Sequence, residues 1–330
     1  MAKLQEVTGK LDALTQSMTQ IQCVLKDVLT VDKMNNQVTV QSANYVCKAV
    51  GEMLGVSRYM LVSANVQNGV TVTRPEEVRK FNELMGLIWP QSATGFPKVR
   101  LGDRGDGGYV LLQDFDSIET VYSLGICDNV SFDVDMVRHA PNVQAIWQYD
   151  DSVDKPPVDN PKFRFTRKRI NGIADLGKLA PNSLLKIDIE GSEWEFFMSC
   201  SDEDLNHFRQ ISCEFHDFSY FRDEGWTARA KAVLEKLHRT HQSIHLHGNN
   251  IVPPVWTGDR FSPSMLEVTM ARRTDYAFVP NQESVPGPID CPCSILFPEV
   301  KVELSGTGLK PGPNVLPFSP SQSERFKIDL

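Results

Sequence analysis

The sequence lacks any long hydrophobic run. A membrane-spanning helix needs about 18 consecutive apolar residues, and no such stretch is present. The first residues also lack the short apolar core of a secretory signal peptide. We therefore expect a soluble, cytoplasmic protein with no membrane partner. With 330 residues and 41% hydrophobic content, the chain is long enough to bury one large core and to carry appended segments.

The sequence also lacks an excess of positive charge and a disulfide pattern. Lysine and arginine total 34 against 42 aspartate and glutamate residues, and the net charge of −8 argues against a nucleic-acid partner. The seven cysteines are odd in number and scattered, which is typical of reduced thiols in an intracellular protein. Cys291 and Cys293 flank a proline, but this pair is too isolated to indicate a zinc site.

Two nucleotide-binding motifs are missing as well. The absence of G-x-G-x-x-G disfavours a nicotinamide enzyme, and the absence of G-x-x-x-x-G-K-[ST] disfavours an ATP site. Instead, Gly125 follows one predicted strand, and Asp150 or Asp151 follows the next. A glycine in that place lets the loop approach a ligand, and the acid accepts hydrogen bonds from ribose hydroxyls. The pattern favours an adenosine-containing cofactor, and S-adenosylmethionine is the class that fits best.

The first 31 residues carry an apolar heptad repeat. Its two core positions are occupied in turn by Leu4, Leu11, Met18 and Leu25, and by Val7, Leu14, Ile21 and Val28. This combination favours trimers or tetramers over dimers. We expect residues 1–31 to form a coiled coil that assembles a homo-oligomer through residues 4–28, with residues 32–90 as a helical spacer. The alternative is an amphipathic helix packed on its own domain, because four heptads make a marginal coiled coil.

Short apolar strands alternate with helical segments in the rest of the chain. The predicted strands are Tyr109–Leu112, Thr120–Gly125, Val143–Tyr149, Leu184–Ile189, Gln210–Phe215, one beginning at Ser243–Leu246, and Leu266–Ala271. The predicted helices are Pro75–Ile88, Phe132–Arg138 and Thr227–Thr240. This alternation predicts an α/β fold with a doubly wound, mainly parallel sheet in residues 91–298. Residues 299–330 are rich in proline and glycine and predict an extended tail.

The densest group of polar side chains follows two of these strands. Asp188 and Glu190 end one strand, and Glu214 and His216 end the next. Residues two apart on a strand point to one side, so we expect both pairs to lie beside the cofactor. His216 is then the predicted general base for a hydroxyl group, oriented by Glu190 or Glu214. The alternative is a Mg²⁺ or Mn²⁺ ion bound by Asp188, Glu214 and His216.

A glycine-rich segment, Asp106-Gly107-Gly108-Tyr109, precedes the first of the predicted strands. Gly107 and Gly108 could let the backbone approach a ligand closely, while Asp106 accepts hydrogen bonds from an amine or a hydroxyl. The alternative needs no ligand, because Asp-Gly-Gly is a common hairpin turn.

The segment KIDIEGSE at Lys186–Glu193 resembles the KIDIEG-[AS]-E motif of FkbM-type methyltransferases. Other segments between about Arg100 and Pro298 resemble the methyltransferase-like branch of the same superfamily, in that family's order: RLGDRGDGGYVLL, VYSLGICDNVSFD, WQYDDS, CEFH, HLHGNN and LEVTMARR. The resemblance implies a Rossmann-like seven-stranded methyltransferase sheet with its last strand antiparallel. It also implies S-adenosylmethionine as the cofactor and O-methylation of a hydroxyl on a sugar or another small acceptor.

The same resemblance implies roles for individual residues. Gly125 and Asp128 would line the cofactor loop, Asp150 would hold the ribose, and Asp106–Tyr109 would lie near the methionine end. We assign Asp188, at the end of the neighbouring strand, to the cofactor site as well.

The cofactor loop departs from the family's usual pattern. Tyr122 and Ser123 stand where many methyltransferases carry an acid, and the loop GICDN holds a single glycine. Two alternatives to an active methyltransferase therefore stay open. One is a non-catalytic methyltransferase-like scaffold on a coiled-coil stem, and the other is a metal-dependent glycosyltransferase.

Overall fold

The fold is described from a computed structural model, which covers residues 75–304 with the exception of residues 253, 258 and 259. The predicted coiled coil at residues 1–31 and the predicted spacer up to residue 74 lie outside the described residues. Of the predicted tail, only residues 299–304 are described.

Helices and strands alternate along the described chain. The helices are α1 (Pro75–Ile88), α2 (Ser131–His139), α3 (Glu193–Ser199), α4 (Asp202–Leu205) and α5 (Glu224–Thr240). The strands are β1 (Gln91–Ala93), β2 (Lys98–Leu101), β3 (Tyr109–Leu112), β4 (Thr120–Leu124), β5 (Ala145–Asp150), β6 (Phe163–Arg167), β7 (Ser183–Ile187), β8 (Phe208–Phe215), β9 (His241–Gly248), β10 (Val255–Trp256), β11 (Phe261–Ser262), β12 (Leu266–Arg272) and β13 (Phe278–Pro280). Across residues 75–304, outside the gaps noted above, no helix is both long and apolar enough to cross a membrane.

Seven strands form one central sheet in the order β6-β5-β4-β7-β8-β12-β9. Strands β4 to β8 run parallel to their neighbours in this group, whereas β12 is antiparallel to both β8 and β9. The predicted seven-stranded sheet with an antiparallel last strand is therefore confirmed. Because the chain winds outward from β4 in one direction and from β7 in the other, the carboxyl ends of β4 and β7 meet at the switch point of the sheet. Ligands bind at such a point in open α/β sheets.

One predicted strand belongs outside the central sheet. Tyr109–Leu112 does form a strand, β3, but it pairs with β2 in a separate two-stranded sheet. Its place among the seven is taken by β6, Phe163–Arg167, which the sequence did not predict. Strand β6 lies at the sheet edge, and Phe163 is its one buried residue. A half-exposed edge strand carries a weak hydrophobic signal, which explains why it was missed.

Helices cover both faces of the sheet. Val121 and Leu184 belong to a hydrophobic cluster that includes residues of α2, and their neighbours Tyr122 and Leu185 belong to a second cluster on the opposite face. The second cluster takes residues from four helices: Phe81 and Met85 of α1, Phe196 and Phe197 of α3, Leu205 of α4, and Val233 and Leu234 of α5. Helix α1 thus packs into the same core as the sheet.

The two hydrophobic neighbours Phe197 and Met198 on α3 provide a test of this core. Phe197 is fully buried, whereas Met198 is 46% exposed. Phe197→Ala should lower the free energy of unfolding by about 3–5 kcal/mol, because it opens a cavity between α3 and the sheet. Met198→Ala should change it by about 0.5 kcal/mol or less. Urea denaturation followed by circular dichroism measures both, and equal losses would contradict this placement of α3.

Candidate functional site at the carboxyl edge of the sheet

Main-chain hydrogen bonds tie together the ends of three central strands. The Gly125 N–H donates to the Tyr149 carbonyl at 2.8 Å, and the Asp188 N–H donates to the Leu124 carbonyl at 3.1 Å. Gly125 has φ +76°, and a Cβ atom there would lie 1.6 Å from the main-chain oxygen of Asp188. Only glycine allows the loops after β4 and β7 to approach each other so closely. The predicted glycine thus stands at the switch point, where it contacts the protein's own chain.

Asp188 is held at this edge from two sides. The Tyr109 hydroxyl donates to Asp188 Oδ2 at 3.0 Å, and Lys186 Nζ lies 3.7 Å from the same oxygen. Lys186 is buried and also donates to the Gly125 carbonyl. Burial, followed by the charge of Asp188, raises the pKa of Tyr109 well above its usual value, so the hydroxyl keeps its proton and continues to donate. The structure therefore brings the predicted residues Tyr109, Gly125 and Asp188 together.

His216 follows β8 and lies among several acids. Its Nδ1 is 3.2 Å from Glu193 Oε1, while its Nε2 is 3.9 Å from Glu214 Oε2 and 4.0 Å from Glu190 Oε2. Burial acts to lower the pKa of His216, but the contact with Glu193 and the charges of Asp188 and Glu190 outweigh it and raise the pKa to about 9. The ring is therefore mainly protonated at neutral pH. Its Nε2 lies beyond hydrogen-bond distance of Glu190 and Glu214.

Asp188 and Glu190 differ in their surroundings, although the sequence placed them on one side of a strand. Strand β7 ends at Ile187, so both acids lie in the turn that follows it. Glu190 has φ +55° and a side chain that is 79% exposed, whereas the Asp188 side chain is 23% exposed. Strand alternation does not apply in a turn, and Glu190 consequently projects toward solvent at the margin of the site.

Glu214 is buried beside other acids. Its Oε1 accepts a hydrogen bond from Asn249 Nδ2 at 2.5 Å. Glu214, Asp106 and Glu267 each have a carboxylate oxygen within 4.8 Å of the other two. Burial and the charges of Asp188 and Glu267 raise the pKa of Glu214 well above its usual range. The acids around Glu214 therefore oppose its ionisation.

The three predicted metal ligands divide between two groups. Asp188 and His216 lie with Glu193, whereas Glu214 lies with Asp106 and Glu267. In each group, the possible ligand atoms are within 4.8 Å of one another.

Glu193 and Glu267 were not predicted from the sequence. Glu193 is fully buried, and its Oε1 accepts a hydrogen bond from the Ile189 N–H at 2.7 Å. In the sequence it stands in the first turn of a helix, where an acid is expected for the helix dipole alone. Glu267 lies on β12, and its neighbours depend on a strand register that the sequence does not reveal.

Asp150, the residue predicted to hold a ribose, is the last residue of β5. Its Oδ2 accepts a hydrogen bond from the Cys127 N–H at 2.8 Å, and its Oδ1 accepts from the Ser152 N–H and hydroxyl at 2.7 and 2.6 Å. Partial burial acts to raise the pKa of Asp150, but these hydrogen bonds outweigh it and lower the pKa. The ionised carboxylate thus ties the loop after β4 to β5, and Asp151 is exposed beside it.

Gly107 and Gly108 lie in the loop that joins β2 to β3. Gly107 has φ +85°, and a Cβ atom there would lie 2.4 Å from Asn129 Nδ2. A Cβ atom on Gly108 would lie 2.0 Å from the main-chain oxygen of Asp103. Both glycines therefore let this loop pack against the protein's own chain, which is what the hairpin-turn interpretation predicts.

A hollow of about 370 Å³ opens beside the loop after β4. Asp128, Asp103 and Asn129 line it together with the start of α2. Its volume falls within the range of small-molecule sites, roughly 300–1,000 Å³. Asn129 also donates to the main-chain oxygen of Asp106 at 3.2 Å, which joins the hollow to the acidic group around Glu214.

A stretch of the chain that includes β7 and β8 matches a known protein-family model. Residues 162–249 match the family model described as the methyltransferase FkbM domain, which confirms the resemblance noted in the sequence. No curated protein matches the chain. One similar solved structure is described as the crystal structure of 23S rRNA methyltransferase ErmE, with 8% sequence identity, a TM-score of 0.28, and coverage of 63% of this chain and 71% of that chain. A likeness at that level carries no argument about function.

Proposed function

We propose that this chain is an S-adenosylmethionine-dependent O-methyltransferase that acts on a hydroxyl of a sugar or another small acceptor. The match to the FkbM domain supports methyl transfer as the reaction class. The observation that carries the proposal is the 3.2 Å approach of His216 Nδ1 to the buried Glu193 at the carboxyl end of β8. A neutral hydroxyl is a poor nucleophile, and a histidine backed by a carboxylate is suited to accept its proton.

The residues around His216 determine which of its ring nitrogens acts as the base. Glu193 lies beside Nδ1, so we assign acceptance of the hydroxyl proton to Nε2. The resulting imidazolium is stabilised by Glu193, whose carboxylate is fully buried, and by Asp188. Trp194 donates its indole N–H to the main-chain oxygen of His216 at 3.1 Å and so fixes the backbone of the base. When bound, S-adenosylmethionine supplies an electrophilic methyl group on a sulfonium.

The residues around the 370 Å³ hollow fit such a cofactor in charge as well as in size. S-adenosylmethionine carries a positive ammonium and a positive sulfonium together with one carboxylate. Asp103 and Asp128 line the hollow and would hold the ammonium or the ribose hydroxyls. Arg138 lies on the same wall, where one of its N–H groups pairs with Asp135 at 2.9 Å, and its other N–H groups would pair with the carboxylate.

A non-catalytic scaffold is the second candidate, and Asp150 is the observation that favours it. Both carboxylate oxygens of Asp150 already accept hydrogen bonds from Cys127 and Ser152. The acid that the resemblance assigns to the ribose is thus used within the protein. A scaffold of this kind would bind no S-adenosylmethionine.

Calorimetry of the full-length protein with S-adenosylmethionine separates the two candidates. The methyltransferase should bind the cofactor with measurable heat and a raised melting temperature. Asp128→Asn should weaken this binding about tenfold or more, because it removes a charge-assisted hydrogen bond at the hollow. Asp116→Asn, at an exposed position between β3 and β4, should leave the affinity unchanged.

Transfer of a labelled methyl group to a panel of glycosides would then identify the acceptor class. No heat and no thermal shift, with and without Mn²⁺, would reject the enzyme and leave the scaffold.

A further inference from the structure

Three polar side chains stand side by side across the antiparallel end of the sheet. Glu267 on β12 is directly opposite Glu214 on β8 and directly opposite His247 on β9. All three residues are buried: the exposed fraction is 4% for Glu214, 5% for Glu267 and 0% for His247. Two carboxylates directly opposite each other on adjacent strands are unfavourable, and burial increases the cost. Such an arrangement fits a place where a positive charge binds.

The segment after β13 brings a thiol to the same point. Cys293 Sγ lies 3.1 Å from Glu267 Oε1 and within 4.8 Å of a ring nitrogen of His247. His247 Nδ1 lies 2.8 Å from Glu267 Oε2. Each of the three residues offers one ligand atom, and these atoms lie within 4.8 Å of one another. An imidazole, a carboxylate and a thiol from three separate parts of the chain thus converge in the interior.

The second nitrogen of His247 is also engaged. Its Nε2 lies 3.1 Å from Glu299 Oε1 at the start of the described tail residues. In protein metal sites, a ligating histidine usually donates its other N–H to a carboxylate, which fixes the tautomer and the ring orientation. Glu299 provides that partner and leaves His247 Nδ1 directed at Glu267.

We propose that His247 Nδ1, Glu267 and Cys293 Sγ form a binding site for a divalent transition-metal ion of the zinc class. A thiolate ligand selects zinc-like ions over Mg²⁺, Mn²⁺ or Ca²⁺, which prefer oxygen ligands. Metal binding releases to solvent the proton of the Cys293 thiol and the proton that His247 Nδ1 shares with Glu267. The resulting thiolate and neutral imidazole, together with the Glu267 carboxylate, carry a total charge of −2, which a divalent ion neutralises. Three protein ligands leave a fourth position, and Asp106 and Glu214, which lie beside Glu267, are available for it. This site differs from the Mg²⁺ or Mn²⁺ site considered from the sequence in its ligands and in its metal class.

Cobalt binding to the reduced, chelator-treated full-length protein tests the site. Cobalt(II) in a zinc site gives a thiolate-to-metal charge-transfer absorption, so the wild type should show this band and lose it on addition of zinc. Cys293→Ser should abolish the band, because it removes the thiolate. Cys291→Ser, two residues away in the same Cys-Pro-Cys segment, should retain it. Absence of the band in the wild type, its persistence in Cys293→Ser, or its loss in Cys291→Ser would each overturn the proposal.

Glu299→Gln gives a second readout that does not depend on removing a ligand. The Glu299 side chain is 27% exposed, so a neutral amide at this position should be tolerated by the fold. We expect the cobalt band to remain and the zinc affinity to fall about 10–100-fold, because Glu299 no longer orients His247. An unchanged zinc affinity would contradict the assignment of His247 as a ligand.

Discussion

His216→Gln is expected to lower kcat for methyl transfer by about 10²–10⁴-fold, the usual contribution of a general base. Glutamine keeps a polar side chain of similar size next to Glu193 but cannot accept the hydroxyl proton. Binding of S-adenosylmethionine should change little, because His216 does not line the hollow that we assign to the cofactor. Initial rates with labelled cofactor and the acceptor found in the glycoside panel measure the loss.

The dependence of wild-type kcat/KM on pH should show the titration of His216. The pKa of His216 is raised to about 9, and only the unprotonated ring accepts a proton. Below that pKa, kcat/KM should therefore rise about tenfold per pH unit, and it should level off above about pH 9. Profiles measured from pH 6 to pH 10 give the midpoint directly. A plateau that begins near pH 6.5 would show that the acids around His216 do not act on it as the structure indicates.

Two variants separate the catalytic role of His216 from a structural one. Glu193→Gln removes the buried charge nearest the ring, so the midpoint of the profile should move to lower pH by about one unit or more. His207→Gln changes a partly exposed histidine whose Nδ1 lies 3.0 Å from the main-chain oxygen of Glu203, and its kinetics should match the wild type. Retention of more than a tenth of the wild-type rate in His216→Gln would remove His216 as the base.

The sheet could be predicted from the sequence because its central strands are buried on both faces. Strand β7 is buried along its whole length, so it reads as a continuous apolar run with acids at its far end. That pattern was enough to place Asp188 and Glu214 at neighbouring strand ends. It was not enough for β6, whose arginines and threonine face solvent at the sheet edge.

The partners of the site residues could not be predicted, because they depend on strand register and on distant segments. Glu267 meets Glu214 and His247 only through the pairing of β12 with β8 and β9. Cys293 reaches the same point from a segment without regular structure, so an isolated Cys-Pro-Cys pair gave no sign of its neighbours. Glu193 was not predicted as a site residue for a different reason. An acid in the first turn of a helix is expected from its interaction with the helix dipole alone.

Gly125→Ala is expected to destabilise the fold by about 4 kcal/mol or more, which places it among the largest single-residue effects. Two terms contribute to this loss. A left-handed φ of +76° costs a residue with a Cβ atom about 1–2 kcal/mol. In addition, the new Cβ atom would lie 1.6 Å from the main-chain oxygen of Asp188, so the loops after β4 and β7 must separate. Urea denaturation followed by tryptophan fluorescence measures the total.

Gly95→Ala isolates the first of these two terms. Gly95 has a similar φ of +86°, but no atom lies within 4 Å of the position its Cβ would take. The free energy of unfolding should therefore fall by about 1–2 kcal/mol in this variant. The difference between the two variants is then the cost of forcing the loops apart. If the two losses were equal, Gly125 would not be needed for contact between the loops. A Gly125→Ala protein that kept its stability but lost S-adenosylmethionine binding would show instead that the glycine makes room for the cofactor, as first expected from the sequence.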